Sequence, residues 1–390
     1  MARVEGHFEP QFRRLRDLLA DKLESGEELG ASIAVDVDGK TVVDIWGGYS
    51  EAGKANPWSR NTITNVWSST KAIAALATLI LVSRGKLDLD EPVATYWPEF
   101  AANGKSGILV RHLLSHTAGL SAWEVINSHT DTWDRELAVS RLAEQAPWWE
   151  PGTASGYHLV SFGALLGELV RRTSGRTMKE FVAEEIASAL PDADFQIGVR
   201  ESDYSRVSLV IPPPPGHLMD FSTVSPASIP YKTFHRPAMD PSWPSEDAFR
   251  NSELPAINGH GNARSLVKAL SAITLGGEVD GVKLLSPATI ERIFDVQADG
   301  VDLALQIPMT FGIGYGIDGP GTRQTLPWMP KGRVCFWGGF GGSVIICDLD
   351  RKMTFSYVMN KMGLGGVIGN LRTPLYVKEA YNSLGLNLED

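Results

Sequence analysis

The chain has 390 residues, of which 43% are hydrophobic and 21% charged, and its formal net charge is −10. This composition is typical of an ordinary globular protein, and the length suits one large domain or two lobes. The negative charge argues against nucleic acid or an anionic membrane surface as a partner, because both favour a basic protein surface. Two cysteines do not make a disulfide framework, so Cys335 and Cys347 are expected to be reduced thiols, although they flank a predicted hairpin and could face each other.

The N-terminal segment has no apolar core or small-residue cleavage site typical of a secretory signal, and no stretch of the chain is long and apolar enough to predict a transmembrane helix. We therefore expect a cytoplasmic protein. Apolar residues recur at helical spacing near the start and predict an amphipathic helix: Phe12, Leu15, Leu18, Leu19 and Leu23. After Gly30 the sequence predicts two strands joined by a tight turn at Asp38-Gly39.

A Ser-x-x-Lys sequence, Ser68 to Lys71, stands directly before the apolar run Ala72 to Val82. Residues three apart share one face of a helix, so Ser68 and Lys71 would meet if a helix begins near Ser68. The apolar run predicts a core helix, and burial lowers the pKa of a lysine, which allows the amine to accept a serine proton. At a helix start, backbone N–H groups favour developing negative charge. Taken alone, the motif more often indicates a capped core helix whose lysine extends to solvent.

Two histidines, His112 and His116, are four residues apart, which is a spacing that zinc sites use. No glutamate lies between them and the sequence suggests no third ligand, so we interpret both as structural residues near a helix end. No metal site is predicted.

Tyr157 lies in a predicted loop just before an apolar helix expected from Leu159 to Arg172. A tyrosine at a helix entrance is well placed to present its phenol to a cleft. A packed aromatic residue with a satisfied hydroxyl is the alternative that this residue alone leaves open.

Residues 200–257 are rich in proline and poor in periodic apolar residues. Such a segment within a compact domain is either an ordered functional loop or lid, or a solvated surface excursion, and the sequence favours neither. Its prolines stand at positions 212–215, 226, 230, 237, 241, 244 and 255.

The C-terminal part is predicted to contain a helix from Ser265 to Leu275, a helix start at Ser286-Pro287, strands at Thr310–Ile317, Val334–Trp337, Ser343–Cys347 and Thr354–Val358, and a final helix from Val367 to Leu384. Strands therefore cluster at both ends of the chain and helices in the middle. This arrangement predicts an α/β (α+β) fold in which both termini build an antiparallel sheet flanked by helices. We predict one domain from residues 1–100 and 258–390, and an inserted, mainly helical lobe from residues 101–257 that includes the Pro-rich segment 200–257.

The stretch Trp337-Gly338-Gly339-Phe340-Gly341-Gly342-Ser343 follows a predicted strand. Glycines beside a strand let a backbone approach a ligand closely. A backbone N–H in this stretch would then bind an oxyanion together with the N–H of Ser68. A glycine-rich hairpin turn is the bland alternative.

Taken in order, Ser68 and Lys71, Tyr157 and Trp337-Gly338-Gly339 resemble the motifs of the serine β-lactamase and penicillin-binding protein superfamily. Within it, the chain looks most like the family VIII carboxylesterases, which share the fold of class C β-lactamases. The resemblance covers most of the chain and includes the sequences LLSHTAGL from Leu113, EPG from Glu150 and YVMN from Tyr357. It implies a β-lactamase-like fold in which Ser68 is the nucleophile, Lys71 and Tyr157 are its acid–base partners, and the N–H of Phe340 is the expected second donor to the oxyanion. We expect a lysine ammonium beside Tyr157 to favour the phenolate, so that the pair titrates as a unit.

The departures from the superfamily pattern concern specificity. Penicillin-recognising relatives have Tyr-x-Asn where this chain has Tyr157-His158-Leu159, and Lys-Thr-Gly where it has Trp337-Gly338-Gly339. A site without that lysine and asparagine is expected to bind neutral esters better than anionic β-lactams. The predicted substrate pocket consists of Trp337, Gly338, Gly339, His158 and Trp148, with the segment 212–244 as a further candidate.

The predicted function is therefore that of a serine hydrolase that cleaves carboxylic esters, either short-chain or secondary-metabolite esters, through an acyl-enzyme. The predicted partner is a small-molecule ester, without a cofactor, nucleic acid or membrane. Acyl transfer to an alcohol would use the same residues, and a weak β-lactamase or a D-aminopeptidase-like hydrolase is a further alternative. A binding protein that keeps the fold has no need of Ser68, Lys71 and Tyr157 together. The absence of a Gly-x-Ser-x-Gly sequence counts against an α/β-hydrolase.

Overall fold

The structure is a computed structural model that describes residues 3–213, 224–365 and 368–388. Its strands are β1 (Val4–Phe8), β2 (Gly30–Val37), β3 (Lys40–Gly48), β4 (Ile63–Asn65), β5 (Gln196–Ile197), β6 (Val207–Ser208), β7 (Gly259–Gly261), β8 (Glu278–Val279), β9 (Val282–Lys283), β10 (Ala298–Val301), β11 (Pro308–Phe311), β12 (Gly316–Ile317), β13 (Val334–Gly338), β14 (Val344–Asp348) and β15 (Met353–Met359). Its α-helices are α1 (Arg13–Glu24), α2 (Thr70–Ser83), α3 (Val93–Tyr96), α4 (Val110–Leu114), α5 (Arg135–Glu144), α6 (Ser161–Ser174), α7 (Met178–Val182), α8 (Ile229–His235), α9 (Asp247–Asn251), α10 (Ala263–Thr274), α11 (Pro287–Ile293), α12 (Pro320–Thr325) and α13 (Thr373–Asn382).

A nine-stranded antiparallel sheet forms the centre of the fold, in the order β1-β3-β2-β15-β14-β13-β12-β11-β10. Its strands come from both ends of the chain, and β2 pairs directly with β15. The predicted α/β fold with a sheet built from both termini is therefore confirmed. The proposed division into a domain and an inserted lobe stays a prediction. A smaller sheet, β5-β7-β4-β6, lies at the junction that leads to Ser68.

Helices cover both faces of the large sheet. Successive side chains of a strand point to opposite faces, so the contacts of one strand show which helix lies on which face. Thr354 of β15 bonds through its hydroxyl to Thr274 of α10. Tyr357, an odd number of residues further along the same strand, points to the other face, where its ring lies 4.8 Å from that of Tyr376 in α13. Both of these tyrosine hydroxyls bond to the buried carboxylate of Glu28.

Several of the predicted elements are confirmed. The N-terminal amphipathic pattern forms α1, which begins one residue after Phe12, and Asp38-Gly39 joins β2 to β3 with both residues at positive φ. The apolar run forms α2, which packs against α6 and α10. Ser286 caps α11 by accepting the Thr289 N–H. Cys335 and Cys347 are cross-strand partners in β13 and β14, and both are buried free thiols.

Other predictions are wrong in their boundaries. The single strand predicted from Thr310 to Ile317 is two strands, because Gly314 adopts a φ of +88° and the Gly312 N–H bonds back to the Tyr315 carbonyl. The first strand, β1, is an addition to the predicted elements, because its segment is short, mostly exposed and without an alternation of buried and exposed residues. The helix whose end is expected near His112 and His116 ends at Leu114, since His116 has a φ of +62°.

The Pro-rich segment is a series of short ordered pieces that include β6, α8 and α9. Its apolar side chains Trp243 and Phe249 are buried, so in this part it is not a purely solvated excursion. Residues 214–223, with Pro214 and Pro215 of the predicted loop, and Val367 at the start of the predicted final helix lie outside the described residues. That helix begins at Thr373, with a proline in its first turn.

Candidate active site

Ser68 lies in a short 3-10 turn, Trp67–Ser69, which leads directly into α2. The chain arrives from β4 and reverses at Trp67, whose φ is +48°. A positive φ is a strained conformation for a bulky residue, and the surrounding structure must compensate it. Here the side-chain oxygen of Asn65 accepts the Trp67 N–H at 3.1 Å, and the Thr70 hydroxyl donates to the Trp67 carbonyl. These two local bonds hold Ser68 at the start of the buried helix.

Lys71 lies one helical turn after Ser68, as predicted, and only 1% of its surface is exposed. Its Nζ lies 3.1 Å from Ser68 Oγ, 2.7 Å from the Leu159 carbonyl oxygen and 3.2 Å from the Ala256 carbonyl oxygen. No carboxylate among the described residues forms an ion pair with it. Burial without a counter-charge lowers the pKa of Lys71 well below its ordinary value.

Burial favours the neutral form of Lys71, and its three contacts can be assigned for that form. A neutral lysine has two N–H donors and one lone pair. The Leu159 and Ala256 carbonyls can only accept, so they take the two N–H groups. The lone pair is then left for the direction of Ser68 Oγ, where it can receive the serine proton. The backbone carbonyls thus orient Lys71 as a base.

Tyr157 completes the group from the opposite side. Its hydroxyl donates to Ser68 Oγ at 2.7 Å, and Lys71 Nζ lies 4.7 Å from the centre of its ring. Burial raises the pKa of Tyr157 above its ordinary range. This direction is opposite to the phenolate expected from the sequence, because burial disfavours the charged form of the phenol. Tyr157 is accordingly a proton donor in the resting site.

Two residues that the sequence did not single out for this purpose hold the Tyr157 loop. Asp302 Oδ1 accepts the Tyr157 N–H at 3.0 Å. His116 accepts the His158 N–H at its Nδ1, also at 3.0 Å, and its carbonyl accepts the Gly156 N–H. No local pattern relates Asp302 to Tyr157, since they are 145 positions apart. Only the preference of a buried backbone N–H for an acceptor could have indicated a partner.

The end of β13 lies directly against the turn that carries Ser68. A Cβ added at Gly339 would come within 2.1 Å of the Val66 carbonyl oxygen. Ser343 fixes the same junction, because its hydroxyl lies 2.9 Å from the Val66 carbonyl oxygen and 2.9 Å from the Ser69 hydroxyl. Gly339 therefore allows two backbone segments of the protein to lie close together, whereas the sequence predicts that the glycines allow close approach of a ligand.

The predicted oxyanion donors are the backbone N–H groups of Ser68 and Phe340. Within the described parts of the chain, neither N–H bonds to another residue. Two backbone N–H groups without a protein partner are what an oxyanion would need as donors. Ring contact between Phe340 and Trp67, with 5.6 Å between centroids, links the two backbone segments.

Trp337 forms a wall beside Tyr157, with their ring centroids 5.4 Å apart, and it also packs on His116 and Phe311. It is 2% exposed. Its indole N–H has no partner with hydrogen-bond geometry in the described structure, yet it lies close enough to the Tyr157 hydroxyl to lower the pKa of that group against the larger effect of burial. A tryptophan thus stands where penicillin-recognising relatives are expected to have a lysine.

The structure places the remaining predicted pocket residues differently. His158 is fully buried, and its ring nitrogens contact the Gly156 carbonyl oxygen and the Leu120 N–H. Burial lowers the pKa of His158 to about 3, so it is a neutral structural residue. Its ring therefore offers no polar atom to a substrate, because both nitrogens are already engaged. Trp148 is partly exposed, and its indole N–H donates to Glu124 at 2.5 Å.

The histidine pair His112 and His116 does not form a metal site in this geometry, since His116 Nδ1 bonds to the backbone and His112 Nδ1 accepts the Leu109 N–H at 3.2 Å. Within residues 3–213, 224–365 and 368–388, no group of three or more His, Cys, Asp or Glu side chains is arranged to hold a metal ion. None of the helices in those ranges has the length and hydropathy needed to cross a bilayer.

Comparison with known proteins gives the family. The Beta-lactamase family model matches residues 15–372. The chain belongs to the Beta-lactamase family. It is 30% identical over 368 residues to the esterase/beta-lactamase LipL of Mycobacterium tuberculosis, an alignment that covers 92% of this chain and 83% of LipL.

Solved structures of this family resemble the fold closely. A family VIII carboxylesterase superposes with a TM-score of 0.90 and 31% identity, covering 98% of this chain and 100% of the other. A penicillin-binding protein homologue from Caulobacter crescentus gives a TM-score of 0.86 and 32% identity over 98% of this chain and 100% of its own. The predicted β-lactamase-like fold and the resemblance to family VIII carboxylesterases are thus confirmed, and the protein is a member of a family of serine hydrolases.

Proposed function

We propose that this protein is a carboxylesterase that acts through an acyl-enzyme at Ser68. The observation that supports the proposal most directly is the contact of Ser68 Oγ with two acid–base groups, Lys71 Nζ at 3.1 Å and the Tyr157 hydroxyl at 2.7 Å. A serine needs a neighbouring base to become a nucleophile, and this one has a buried lysine oriented by two carbonyls. Similarity to a family VIII carboxylesterase and to LipL supports the same reaction.

In the acylation step, Ser68 Oγ attacks the ester carbonyl carbon while its proton moves to Lys71 Nζ. The carbonyl oxygen becomes an oxyanion between the N–H groups of Ser68 and Phe340. The bond to the leaving oxygen then breaks, and that alkoxide takes the proton of Tyr157. The Lys71 ammonium returns its proton to Tyr157, which leaves an acyl-Ser68 ester and the free alcohol.

In the deacylation step, a water molecule takes the place of the alcohol. Its oxygen attacks the acyl carbonyl carbon while Tyr157 and Lys71 together accept its proton. Ser68 Oγ leaves and regains a proton from the same pair, so the enzyme returns to its starting state and releases the carboxylic acid. The same residues serve both steps, and the reaction consumes only ester and water.

The residue types around Ser68 favour neutral substrates. Trp337 and Tyr157 are apolar in their rings, and His116 is neutral because burial lowers its pKa well below its ordinary value. A β-lactam would bring a carboxylate to this region, and a buried carboxylate without a cationic partner costs several kcal/mol. A neutral ester avoids that cost and gains roughly 25 cal/mol per Å² of apolar surface buried.

The test is a comparison of p-nitrophenyl esters of increasing acyl length with the cephalosporin nitrocefin under one set of conditions. We expect kcat/KM for p-nitrophenyl butyrate to exceed that for nitrocefin by at least about a hundredfold, since the missing ionic contact is worth about 3 kcal/mol. LipL is named both esterase and beta-lactamase, which makes β-lactam hydrolysis the second candidate. Equal values for the two substrates would favour it.

Acyl transfer to an alcohol proceeds through the same acyl-enzyme and is separated from hydrolysis by its products. Adding rising concentrations of a short alcohol to a p-nitrophenyl ester reaction divides the acyl group between acid and new ester. Hydrolysis predicts acid as the main product at low alcohol concentration.

A further inference from the structure

The carboxylate of Asp302 is buried beneath the Tyr157 loop and is fully removed from solvent. Its Oδ1 accepts three backbone N–H groups, from Tyr157 at 3.0 Å, Ala304 at 2.9 Å and Leu305 at 2.8 Å. The Leu303 N–H, next to it, bonds to the Ser155 carbonyl at 2.8 Å. Asp302 thus joins the segment after β10 to the segment that carries Tyr157.

This arrangement is costly as a purely structural device. A buried carboxylate normally has a cationic partner, because desolvation of an unpaired ion costs several kcal/mol. No lysine or arginine is among the groups that affect the pKa of Asp302 most in the described chain, and its Oδ2 has no partner with hydrogen-bond geometry, although the Ser155 side chain lies close enough to lower the pKa. Three N–H dipoles on a single oxygen compensate part of the cost, and one of the three belongs to the residue that donates to Ser68.

We propose that Asp302 is a positioning residue of the active site, whose carboxylate fixes the main chain of Tyr157 so that the Tyr157 hydroxyl reaches both Ser68 Oγ and the leaving oxygen. This inference rests on the role of Tyr157 in the proposed function. The Tyr157 hydroxyl donates to Ser68 Oγ, and the direction of the side chain towards that atom depends on the backbone that Asp302 holds.

In its ionised form, Asp302 also affects the Tyr157 hydroxyl, although less than burial does. It opposes formation of the Tyr157 phenolate and so favours the protonated hydroxyl. The other titratable groups that face Tyr157 are Lys71, 4.7 Å from its ring centre, and His116, whose ring lies 5.1 Å from it. Burial favours the neutral form of both, and it also raises the pKa of Asp302 itself, so the position of its carboxylate supports the proposal rather than its charge.

The experiment uses two butyrate esters that differ only in the leaving group. p-Nitrophenolate leaves without help, whereas ethoxide must receive a proton as the bond breaks. Loss of proton donation by Tyr157 therefore reduces turnover of ethyl butyrate much more than that of p-nitrophenyl butyrate. A merely structural defect reduces both by the same factor, because both esters give the same acyl-enzyme.

For Asp302→Ala we expect kcat on ethyl butyrate to fall about a hundredfold, the effect of a misplaced catalytic group, with KM within about twofold and a clearly smaller loss on p-nitrophenyl butyrate. Asp302→Asn keeps an oxygen that accepts the N–H groups, so it should recover kcat on ethyl butyrate at least about tenfold over Asp302→Ala. Rates are expressed per active site after titration with a p-nitrophenyl phosphonate. Asp348→Asn is the matched control, because Asp348 is also fully buried but bonds to Arg351 and Tyr381.

Equal losses of Asp302→Ala on the two esters would overturn the inference, and so would an Asp302→Asn variant no better than Asp302→Ala on ethyl butyrate. If Asp302→Ala does not fold, Asp302→Asn and Asp302→Glu test the inference instead. Asp302→Glu keeps the carboxylate but moves its oxygens, so it must lose more activity on ethyl butyrate than on p-nitrophenyl butyrate. Tyr157→Phe is assayed in parallel. If Tyr157→Phe itself shows no leaving-group effect, the proposed function fails rather than the role of Asp302.

Discussion

The two sides of the site are built in different ways. Ser68 and Lys71 lie on one turn and one helix, three positions apart, and neighbouring residues such as Asn65 hold them. Tyr157 reaches the same oxygen from a loop whose position depends on Asp302, far away in the sequence. The nucleophile side is therefore a local structure, and the tyrosine side is a tertiary one. We expect substitutions on the two sides to differ in size and in kind.

The largest expected effect is that of Ser68→Ala on the local side. Without the Oγ no acyl-enzyme forms, and removal of the nucleophile in a serine hydrolase costs on the order of a millionfold in kcat. Mass spectrometry after reaction with a p-nitrophenyl phosphonate should show one modified residue, Ser68, in the wild type and none in Ser68→Ala. Modification of another serine would contradict the assignment.

A double-mutant cycle tests whether Lys71 and Tyr157, on the two sides of the site, act as a unit. Lys71→Ala and Tyr157→Phe should each reduce kcat by several orders of magnitude, and the double variant should lose little more, because residues that act as a unit lose activity non-additively. The cycle is measured with ethyl butyrate at one pH. Losses that multiply would mean that the lysine and the tyrosine work independently.

The contact between the sheet and the nucleophile turn is tested by Gly339→Ala. The added methyl group would meet the Val66 carbonyl oxygen at 2.1 Å, so strand and turn must separate. We expect kcat to fall about a hundredfold, the usual effect of such a misplacement. Thermal unfolding should also show a stability loss of about 1–3 kcal/mol. Gly53→Ala is the control, since nothing lies within 4 Å of its added methyl group and it should behave as wild type.

The pH dependence of kcat/KM distinguishes Lys71 from Tyr157, because their pKa values are shifted in opposite directions. Burial lowers the pKa of Lys71 and raises that of Tyr157. As pH rises through the lowered lysine pKa, kcat/KM should increase about tenfold per unit and reach its plateau below the ordinary range of a lysine. The acid limb should persist in Tyr157→Phe and disappear in Lys71→Ala. Its persistence in Lys71→Ala would assign it to another group.

The lowered pKa of Lys71 also makes the stability of the protein depend on pH. The Lys71 amine binds a proton more readily in the unfolded chain than in the folded protein. The free energy of unfolding therefore rises with pH between the lowered pKa of Lys71 and the pKa of a lysine in the unfolded chain. Lys71→Met, which places a neutral side chain of similar length in the core, should flatten this dependence. Denaturant unfolding at several pH values measures it.

The smallest expected effect is the gain of Trp337→Lys on nitrocefin. A cation beside Tyr157 would partner a substrate carboxylate, yet Leu159 contributes only its carbonyl, which is already bonded to Lys71. We therefore expect an increase of at most about tenfold in kcat/KM for nitrocefin, since one restored contact to a charge is worth about 1.5 kcal/mol. A full exchange of preference from ester to cephalosporin would show that Trp337 alone determines specificity.

The comparison of the two sides also explains what the sequence could predict. The Ser68–Lys71 contact follows from helical spacing, and the burial of Lys71 follows from the apolar run behind it. The turn at Asp38-Gly39 and the cap at Ser286 are likewise local and were predicted correctly. Each depends on residues within a few positions of one another.

The errors concern interactions between distant segments. Nothing in the sequence near Tyr157 indicates that Asp302 accepts its N–H, and the direction of its pKa depends on burial by elements that meet only in the folded chain. His158 is among the predicted pocket residues, but its ring nitrogens contact backbone at Gly156 and Leu120. The spacing of two residues along the chain does not determine which buried hydrogen-bond donor finds which buried acceptor.

The pairing of β2 with β15 has a consequence for how the protein reaches its active form during synthesis. In this register Val37 pairs with Met353, a separation of 353 − 37 = 316 positions. Contacts between such distant residues form late, because the chain between them must first be made and its ends brought together. A ribosome-bound chain that stops before β13 therefore contains Ser68, Lys71, Tyr157 and Asp302, but it lacks the Phe340 N–H and the strands β13, β14 and β15 that connect β12 to β2 in the sheet. Hydrolytic capacity is thus expected to arise only in the final stage of translation, and helix α2 must stay protected from aggregation until then.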